Sequence, residues 1–207
     1  MTTENSQTPP MSERELRDAM VQCLIDIGDL RTTRAVDAFQ TIPRHLAAPG
    51  ADMAEAYDAE SALITKTDAT GVDISSVSAP RIQAIQIEQA DIQPGMNVLE
   101  IGSGGVNAAY IAEMVGGQGR VVTVDIDPEV TARARHFLKI TGHRNVTVIT
   151  SDGGSGALDF SPFDRIVVTV QAADIPSSWV HQLKEGGRLV VPLRMRGMTR
   201  TVAGSSP

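Results

Sequence analysis

The chain from residue 94 onward alternates short apolar strands with helices, and this order constrains the fold more than any other feature of the sequence. The alternation begins after the Pro94-Gly95 turn. Short apolar strands that alternate with helices indicate an α/β fold with a doubly wound, mostly parallel sheet. Strands are predicted over 97–101, 120–126, 146–149, 165–170 and 188–192, and helices over 107–115, 129–140 and 177–183.

Length and charge limit the function classes. A chain of 207 residues suggests one domain with tails. The formal net charge is −7, and there are only four Phe, two Tyr and one Trp. Nucleic acids and anionic membranes bind clustered Lys and Arg, and single-stranded nucleic acids also stack on aromatic rings. We therefore expect no nucleic-acid partner and no membrane partner.

Cysteine usage and the N-terminus indicate the compartment. Cys23 is the single cysteine, which excludes an internal disulfide framework and a multi-cysteine zinc site, and no metal is expected. The polar N-terminus lacks the basic start and apolar run of a signal peptide, and no apolar run is long enough for a membrane span. These features predict a cytoplasmic protein.

The chain divides into three parts within one compact domain. We expect a disordered leader over 1–11, N-terminal helices with a substrate-side loop over 12–93, and a cofactor-binding core over 94–207. The leader is polar and cannot bury enough apolar surface to offset its ordering entropy. Ser12 followed by Glu15 predicts a capping box that opens the first helix.

Two helices are predicted after the leader. The second, opened by Thr33, must stop near Ile42, because Pro43 disfavours a helical conformation at the residue before it. The first is amphipathic, and we interpret Cys23 as a small core residue rather than a reactive thiol. Its apolar stripe comprises Leu16, Ala19, Met20, Cys23, Leu24 and Ile27.

Residues 44–79 show weak periodicity and many Ala, Asp, Ser and Thr. A long irregular segment inside a compact domain is usually functional. It ends in Ser75-Ser76-Val77-Ser78-Ala79-Pro80, after which a helix through Ile82, Ile85 and Ile87 is expected.

The glycine loop at 102–105 is the most informative element. It lies between a predicted strand and a predicted helix, so that a ligand can approach the backbone and the free N–H groups of the helix start. Asp125 ends the next strand, 23 residues after Gly102. This is close to the spacing of roughly 20 at which a carboxylate accepts hydrogen bonds from ribose hydroxyls.

Two other interpretations of this loop stay open. Glycines at Gly102 and Gly104 alone are compatible with a tight turn that binds nothing. A dinucleotide is disfavoured, because the third glycine of the fingerprint falls on Asn107. Glu100 sits awkwardly beside a pyrophosphate but suits a cationic ligand such as the sulfonium of S-adenosylmethionine. The comparison favours a methyltransferase over a dehydrogenase.

A second acidic position follows the third strand of the core. Asp152 can accept a hydrogen bond from an adenine amino group, with Gly153 leaving room for the base. An aspartate that only caps a turn explains the same residues equally well.

Several segments carry a family resemblance. VLEIGSGG, VVTVDIDPEVTARARHFLKITGHRNVTVITSDGG, SPFDRIVVTVQAADIP and LKEGGRLVVPL together resemble protein-L-isoaspartate (D-aspartate) O-methyltransferases over 16–193. The resemblance implies a Rossmann-like fold that binds S-adenosylmethionine and an isoaspartyl or aspartyl acceptor in a peptide or protein. The methyl ester formed would then collapse to a succinimide.

The resemblance also implies roles for individual residues. Ser76-Val77-Ser78-Ala79-Pro80 is similar to the family's Thr-Ile-Ser-(Ala or Gln)-Pro segment, which gives Ser78 the position of its active-site serine. Implied substrate-side residues are Ser76, Val77 and Arg81. Implied cofactor-binding residues are Glu100, Gly102, Ser103, Gly104, Gly105, Asp125, Ile126, Asp152 and Gly153.

Three departures from the family pattern occur. The glycine loop GSGGVNAA is one residue shorter, Arg81 replaces a common His or Tyr, and LITKTDATGVDIS replaces the usual Pro-Ile-Gly-x-Gly-Gln run. The combination resembles the divergent branch that accompanies lanthipeptide-type biosynthesis (FxLD-type methyltransferases). In that branch the acceptor would be an Asp side chain of a modified precursor peptide.

Chemistry assigns Ser78 a positioning role. An acceptor carboxylate is already ionised at pH 7, so methyl transfer needs alignment rather than a general base. A covalent serine would need a histidine base, and the four histidines show no spacing that identifies one. His136 and His143 are expected to face solvent, and His45 to precede the substrate loop.

Two other functions stay open besides methyl transfer. The first alternative is a non-catalytic cofactor-binding module, and the next is a nicotinamide-dependent reductase.

The chain end carries one further expectation. The strand over 188–192 should be the fifth of a seven-stranded sheet, and the residues after it can supply one more strand, over 198–202, at most. We therefore expect a truncated C-terminal hairpin.

Overall fold

The computed structural model describes residues 10–102, 104–195 and 198–205. Ser103 and residues 1–9 of the predicted leader therefore lie outside the described residues. Among those described, no helix is long and apolar enough to cross a bilayer.

The first two helices are α1 (Glu13–Asp26) and α2 (Thr33–Thr41). The predicted capping box opens α1: the Glu15 amide donates to Ser12 Oγ at 3.3 Å, and the Ser12 amide donates to Glu15 Oε2 at 2.7 Å. The prediction of Cys23 as a core residue is wrong, because its side chain is exposed. The buried face of α1 consists of Met20, Val21 and Leu24.

The segment predicted to be irregular contains regular structure. It holds the short helix α3 (Met53–Ala56) and an antiparallel hairpin of β1 (Leu63–Thr67) and β2 (Asp73–Val77). The Asp68 carboxylate closes the turn, because it accepts hydrogen bonds from the amides of Thr70 and Val72. The prediction of an irregular segment up to residue 79 is wrong at this hairpin.

The core sheet has the predicted architecture. Its spatial order is β5-β4-β3-β6-β7-β8, with the first five strands parallel and β8 antiparallel to β7. The strands are β3 (Asn97–Ile101), β4 (Arg120–Asp125), β5 (Val146–Thr150), β6 (Phe163–Val168), β7 (Leu183–Met195) and β8 (Met198–Ser205). The remaining helices are α4 (Pro80–Ala90), α5 (Val106–Val115), α6 (Pro128–Ile140) and α7 (Ser177–Gln182).

Helices cover both faces of this sheet. Neighbouring residues of a strand point to opposite faces, so Val98 and Val121 pack with α1, α2, α4, α5 and α6, whereas Leu99 and Val122 pack with Trp179 of α7. The doubly wound α/β prediction is confirmed. The single strand expected after β7 is present as β8, which is longer than 198–202.

Candidate active site

A cleft opens where the parallel strands β3, β4 and β6 end. It has a volume of about 480 Å³. One wall comes from the sheet and the loops that follow its strands, and the opposite wall comes from the β1–β2 hairpin. The carboxyl ends of parallel strands are where open α/β sheets bind ligands. The sheet wall includes Gly102, Gly104, Asp125, Ile126 and Thr169. The hairpin wall includes Ile64, Ile74, Ser75 and Ser76, and Ser78 lines the cleft directly after the hairpin.

A second cavity of about 340 Å³ extends the cleft along the sheet edge. The two share Gly102, Asp125 and Ile126. The second cavity is also lined by Asp152, Gly153 and Trp179. The structure thus brings the candidate residues of three separate strand ends into one elongated groove, with Asp125 at its middle.

Two glycines of the loop are required by the fold. Gly102 has φ +94°, and a Cβ there would lie 2.5 Å from Thr169 Oγ1 and 2.7 Å from Val170 Cγ1. Gly105 has φ +85°, and a Cβ would lie 3.1 Å from Phe137 Cδ1. Positive φ and close approach both exclude larger side chains.

Gly104 differs from its neighbours. It lines the cleft and is not in the left-handed region, and a Cβ there would meet no protein atom closer than Val77 Cγ2 at 3.8 Å. The protein therefore has room for a side chain at this position. Protein packing does not require a glycine here, so the missing side chain serves to leave space for a ligand in the cleft.

Glu100 lies underneath the glycine loop. Its side chain is fully buried, and the Thr123 hydroxyl donates a hydrogen bond to Oε2, while Oε1 has no partner of hydrogen-bond geometry among the described residues. The side-chain amide of Asn107 also has no partner of hydrogen-bond geometry there, although it lies close enough to Glu100 to oppose the rise of its pKa. Both residues border a small cavity, of about 20 Å³, that also touches Ser78 and Gly104. Burial raises the pKa of Glu100 to about 7.

Asp125 and the hairpin meet through the start of α6. Asp125 Oδ1 accepts a hydrogen bond from the Asp127 amide at 2.9 Å. Asp127 caps α6 and also pairs with Lys66 of β1, with Nζ to Oδ2 at 2.6 Å, and these contacts lower the pKa of its carboxyl. Arg133 of α6 donates to Thr65 Oγ1 at 2.9 Å. Polar contacts therefore hold the hairpin wall against the helix that follows Asp125.

Asp152, at the far end of the groove, both caps a turn and lines the second cavity. Its Oδ1 accepts a hydrogen bond from the Gly154 amide at 2.8 Å, as a turn-capping aspartate does, and the residue also lines the groove. A Cβ on Gly153 would lie 2.5 Å from Ile101 Cγ2. Trp179 Nε1 donates to the Gly153 carbonyl at 2.8 Å. No sequence pattern singled out Trp179, although the only tryptophan of a chain is a reasonable candidate for a ligand-binding side chain.

The serine segment connects β2 to α4. Ser78 is half-buried and lines the cleft, Ser76 is exposed in it, and Val77 is buried between the hairpin and the core. Arg81 lies outside the described lining of the cleft. Its Nε donates to Asp29 at 2.6 Å and its guanidinium to Glu60 at 2.8 Å.

The histidines take no part in the lining of the cleft. His45 Nδ1 lies 2.9 Å from the Tyr57 hydroxyl. His136 is exposed as expected, but the prediction that His143 faces solvent is wrong, because its side chain is buried between Thr141 and Glu113.

Comparison with known proteins gives a consistent result. The family profile described as Protein-L-isoaspartate(D-aspartate) O-methyltransferase (PCMT) matches residues 14–203. The Protein-L-isoaspartate O-methyltransferase of Methanopyrus kandleri is 40% identical over 187 residues, which cover 89% of this chain and 80% of that protein. That of Methanococcus aeolicus is 38% identical over 177 residues, covering 85% and 79%.

Solved structures agree. A protein-L-isoaspartate O-methyltransferase superposes with a TM-score of 0.80 at 32% identity, over 90% of this chain and 58% of that one. A Plasmodium falciparum protein solved in complex with S-adenosyl-L-homocysteine has a TM-score of 0.77 at 14% identity, over 90% and 88% of the two chains, which shows a shared fold.

Proposed function

The chain belongs to the protein-L-isoaspartate(D-aspartate) O-methyltransferase family, and we infer that its cleft methylates the carboxylate of isoaspartyl residues with S-adenosylmethionine. One observation carries this assignment to the cleft. Ser78 of the acceptor side and Gly104 of the cofactor side line the same cavity.

The residues of the groove fit the cofactor. We propose that Gly102, Gly104 and Asp125 hold its methionine and ribose parts, with Ile126 and Asp152 on the adenine side. Two features support this: the unused space at Gly104 and the unpartnered oxygen of Glu100. S-adenosylmethionine supplies an electrophilic methyl group on a positively charged sulfur. An N–H group or positive charge of a ligand near Glu100 would compensate that buried oxygen.

The acceptor side needs orientation rather than proton transfer. The acceptor carboxylate carries its negative charge at pH 7, so no general base is required. We propose that the Ser78 hydroxyl donates a hydrogen bond to one carboxylate oxygen and leaves the other aimed at the methyl group. Alignment of this kind is worth up to about 7–11 kcal/mol in well-oriented systems.

The product continues without the enzyme. The next backbone nitrogen of the acceptor chain attacks the ester carbonyl and expels methanol, which leaves a succinimide. Nothing in the cleft has to assist that step.

A second candidate acceptor is an Asp side chain of a modified precursor peptide. The observation that favours it is the hairpin wall, which carries the unusual LITKTDATGVDIS segment and exposes Ile64 and Ile74 beside the cleft. Such a wall suits an acceptor with apolar flanking residues.

The test compares three acceptors by mass spectrometry: an isoaspartyl peptide, the matched Asp peptide and a cyclised Asp-containing peptide. Methylation of the isoaspartyl peptide is the expected result. Methylation of the cyclised peptide alone would assign the enzyme to peptide tailoring. Calorimetric binding of S-adenosylmethionine without methylation of any acceptor would establish a non-catalytic binding module instead, an alternative that the family relationship disfavours.

The composition supports the choice of partner and compartment. The formal net charge of −7 disfavours a nucleic acid as acceptor. We propose a cytoplasmic location, since the single cysteine fits a reducing compartment.

A further inference from the structure

Arg44 is fully buried, which is rare for an arginine. It opens the short 3₁₀ helix Arg44–Ala47 directly after Pro43. Its guanidinium makes two described hydrogen bonds. One goes to the side-chain oxygen of Gln83 at 3.0 Å, and the other goes to the backbone carbonyl of Ser78 at 3.2 Å.

The positive charge of Arg44 has no acidic partner. None of the ion pairs among the described residues includes Arg44, and its Nε has no hydrogen-bond partner there. Burial lowers the pKa of the guanidinium, and the neighbouring buried Tyr110 hydroxyl offsets only part of this effect. A buried charge without a counter-ion is costly, and an apolar side chain would fill the same space more favourably. Packing alone therefore does not explain an arginine here.

The two acceptors of Arg44 lie at either side of one short connection. Ser78 follows the last residue of β2, and Gln83 lies in the first turn of α4. The side chain of Ser78 lines the cleft, while its carbonyl accepts the hydrogen bond from the protein interior. A hydrogen bond from a charged donor to that carbonyl restricts rotation of the Ser78 backbone and so fixes the direction of its Cα–Cβ bond.

We propose that Arg44 is a positioning residue for methyl transfer, which holds the Ser78 backbone so that its hydroxyl points at the acceptor carboxylate. This inference rests on the proposed function. Arg44 touches neither substrate nor cofactor, and it acts only through Ser78.

The test uses Arg44→Met, with Arg34→Met as the matched control. Arg34 donates to a backbone carbonyl, that of Ile92 at 3.2 Å, and to Gln93 Oε1 at 3.1 Å, but it lies away from the cleft. We expect Arg44→Met to lower kcat for an isoaspartyl peptide by at least about tenfold, since small misplacements of positioning groups have effects of that size. The Kd of S-adenosylmethionine should stay within about twofold, and Arg34→Met should leave kcat unchanged.

A double-mutant cycle separates positioning from general structural damage. In the Ser78→Ala background, Arg44→Met should have no further effect on kcat, because the hydroxyl that it positions is gone. Arg44→Lys, which keeps a donor, should recover part of the wild-type kcat. Additive losses in the cycle, or an equal loss in Arg34→Met, would overturn the proposal.

A second readout does not depend on activity. Amide hydrogen exchange of the segment over 77–83 should be faster in Arg44→Met than in the wild type, and unchanged in Arg34→Met. Unchanged exchange in Arg44→Met would refute the positioning role. An inactive wild type with the expected exchange pattern would instead refute the proposed function. If Arg44→Met does not fold, Arg44→Lys is tested in the same two assays. Its single ammonium replaces the two NH2 groups that bind Gln83 and the Ser78 carbonyl, so a smaller fall in kcat and faster exchange over 77–83 are expected, and wild-type values in both assays would refute the positioning role.

Discussion

The Thr123 hydroxyl donates a hydrogen bond to Glu100 Oε2 between two adjacent parallel strands. The carboxyl group lies directly beneath the loop that faces the cofactor groove. Its protonation is therefore coupled both to the stability of the fold and to what binds above it.

Glu100→Gln should remove one component of the pH dependence of stability. The folded-state pKa is about 7 against 4.5 for the free side chain, so the folded state retains the proton more strongly. The stabilisation is fully present below pH 4.5 and is lost as the pH rises through 7. Between pH 5 and pH 8, the free energy of unfolding of the wild type should fall by about 2.5 kcal/mol relative to Glu100→Gln. Urea unfolding without cofactor measures this, and parallel profiles would contradict it.

Ser78→Ala should lower kcat while leaving cofactor binding intact. Removal of a hydrogen bond to a charged group should reduce the rate by about ten- to a hundredfold. Methyl transfer to an isoaspartyl peptide and calorimetry with S-adenosylmethionine give the two values. Ser61→Ala, which lies outside the described lining of the cleft and whose hydroxyl donates to Asp58, is the control and should change kcat little. A wild-type rate in Ser78→Ala would remove the role assigned to this serine.

Gly104→Ala and Gly102→Ala should separate binding from folding. Gly104 has open space on its protein side, so its alanine variant should unfold like the wild type but bind S-adenosylmethionine more weakly. In Gly102→Ala the added Cβ meets Thr169 and Val170 at a positive φ, so the variant should lose about 1–3 kcal/mol of stability. Thermal unfolding and calorimetry on both variants test this. Full affinity in Gly104→Ala would mean that the cofactor does not approach the loop there.

Trp179 should report cofactor binding by fluorescence. It is the only tryptophan, and it lines the distal part of the groove while donating to the Gly153 carbonyl. Addition of S-adenosyl-L-homocysteine should therefore change the emission of the wild type with saturation. Asp152→Asn should shift the midpoint of that titration to higher ligand concentration. An unchanged spectrum at ligand concentrations that saturate a calorimetric titration would place the ligand elsewhere.

Sequence patterns predicted the core sheet well but not the hairpin. The core strands are buried runs such as Val98 to Ile101, whose composition alone indicates a strand. Most residues of β1 and β2 are partly or fully exposed, so the hairpin carries no clear apolar alternation. The Lys66 to Asp127 contact that stabilises it joins positions 61 residues apart.

One error, the placement of Cys23 in the core, has a simple geometric cause. On α1, Met20 and Leu24 define the buried face, and Val21 and Cys23 flank it on opposite sides. The period of the helix does not decide which flank is covered, and the fold covers Val21. Burial of Arg44 is equally invisible in the sequence, because charged residues are normally assigned to the surface.

The two walls of the cleft differ in how they are held. The cofactor wall continues from the apolar sheet core. The hairpin wall is anchored by two buried side chains, Leu63 and Val77, and by the polar contacts of Lys66 with Asp127 and of Thr65 with Arg133 of α6. Replacing the exposed residues of the hairpin therefore disturbs little of what keeps the domain folded. Substitutions on the exposed hairpin surface can therefore change the choice of acceptor while the residues that face the methyl donor stay in place.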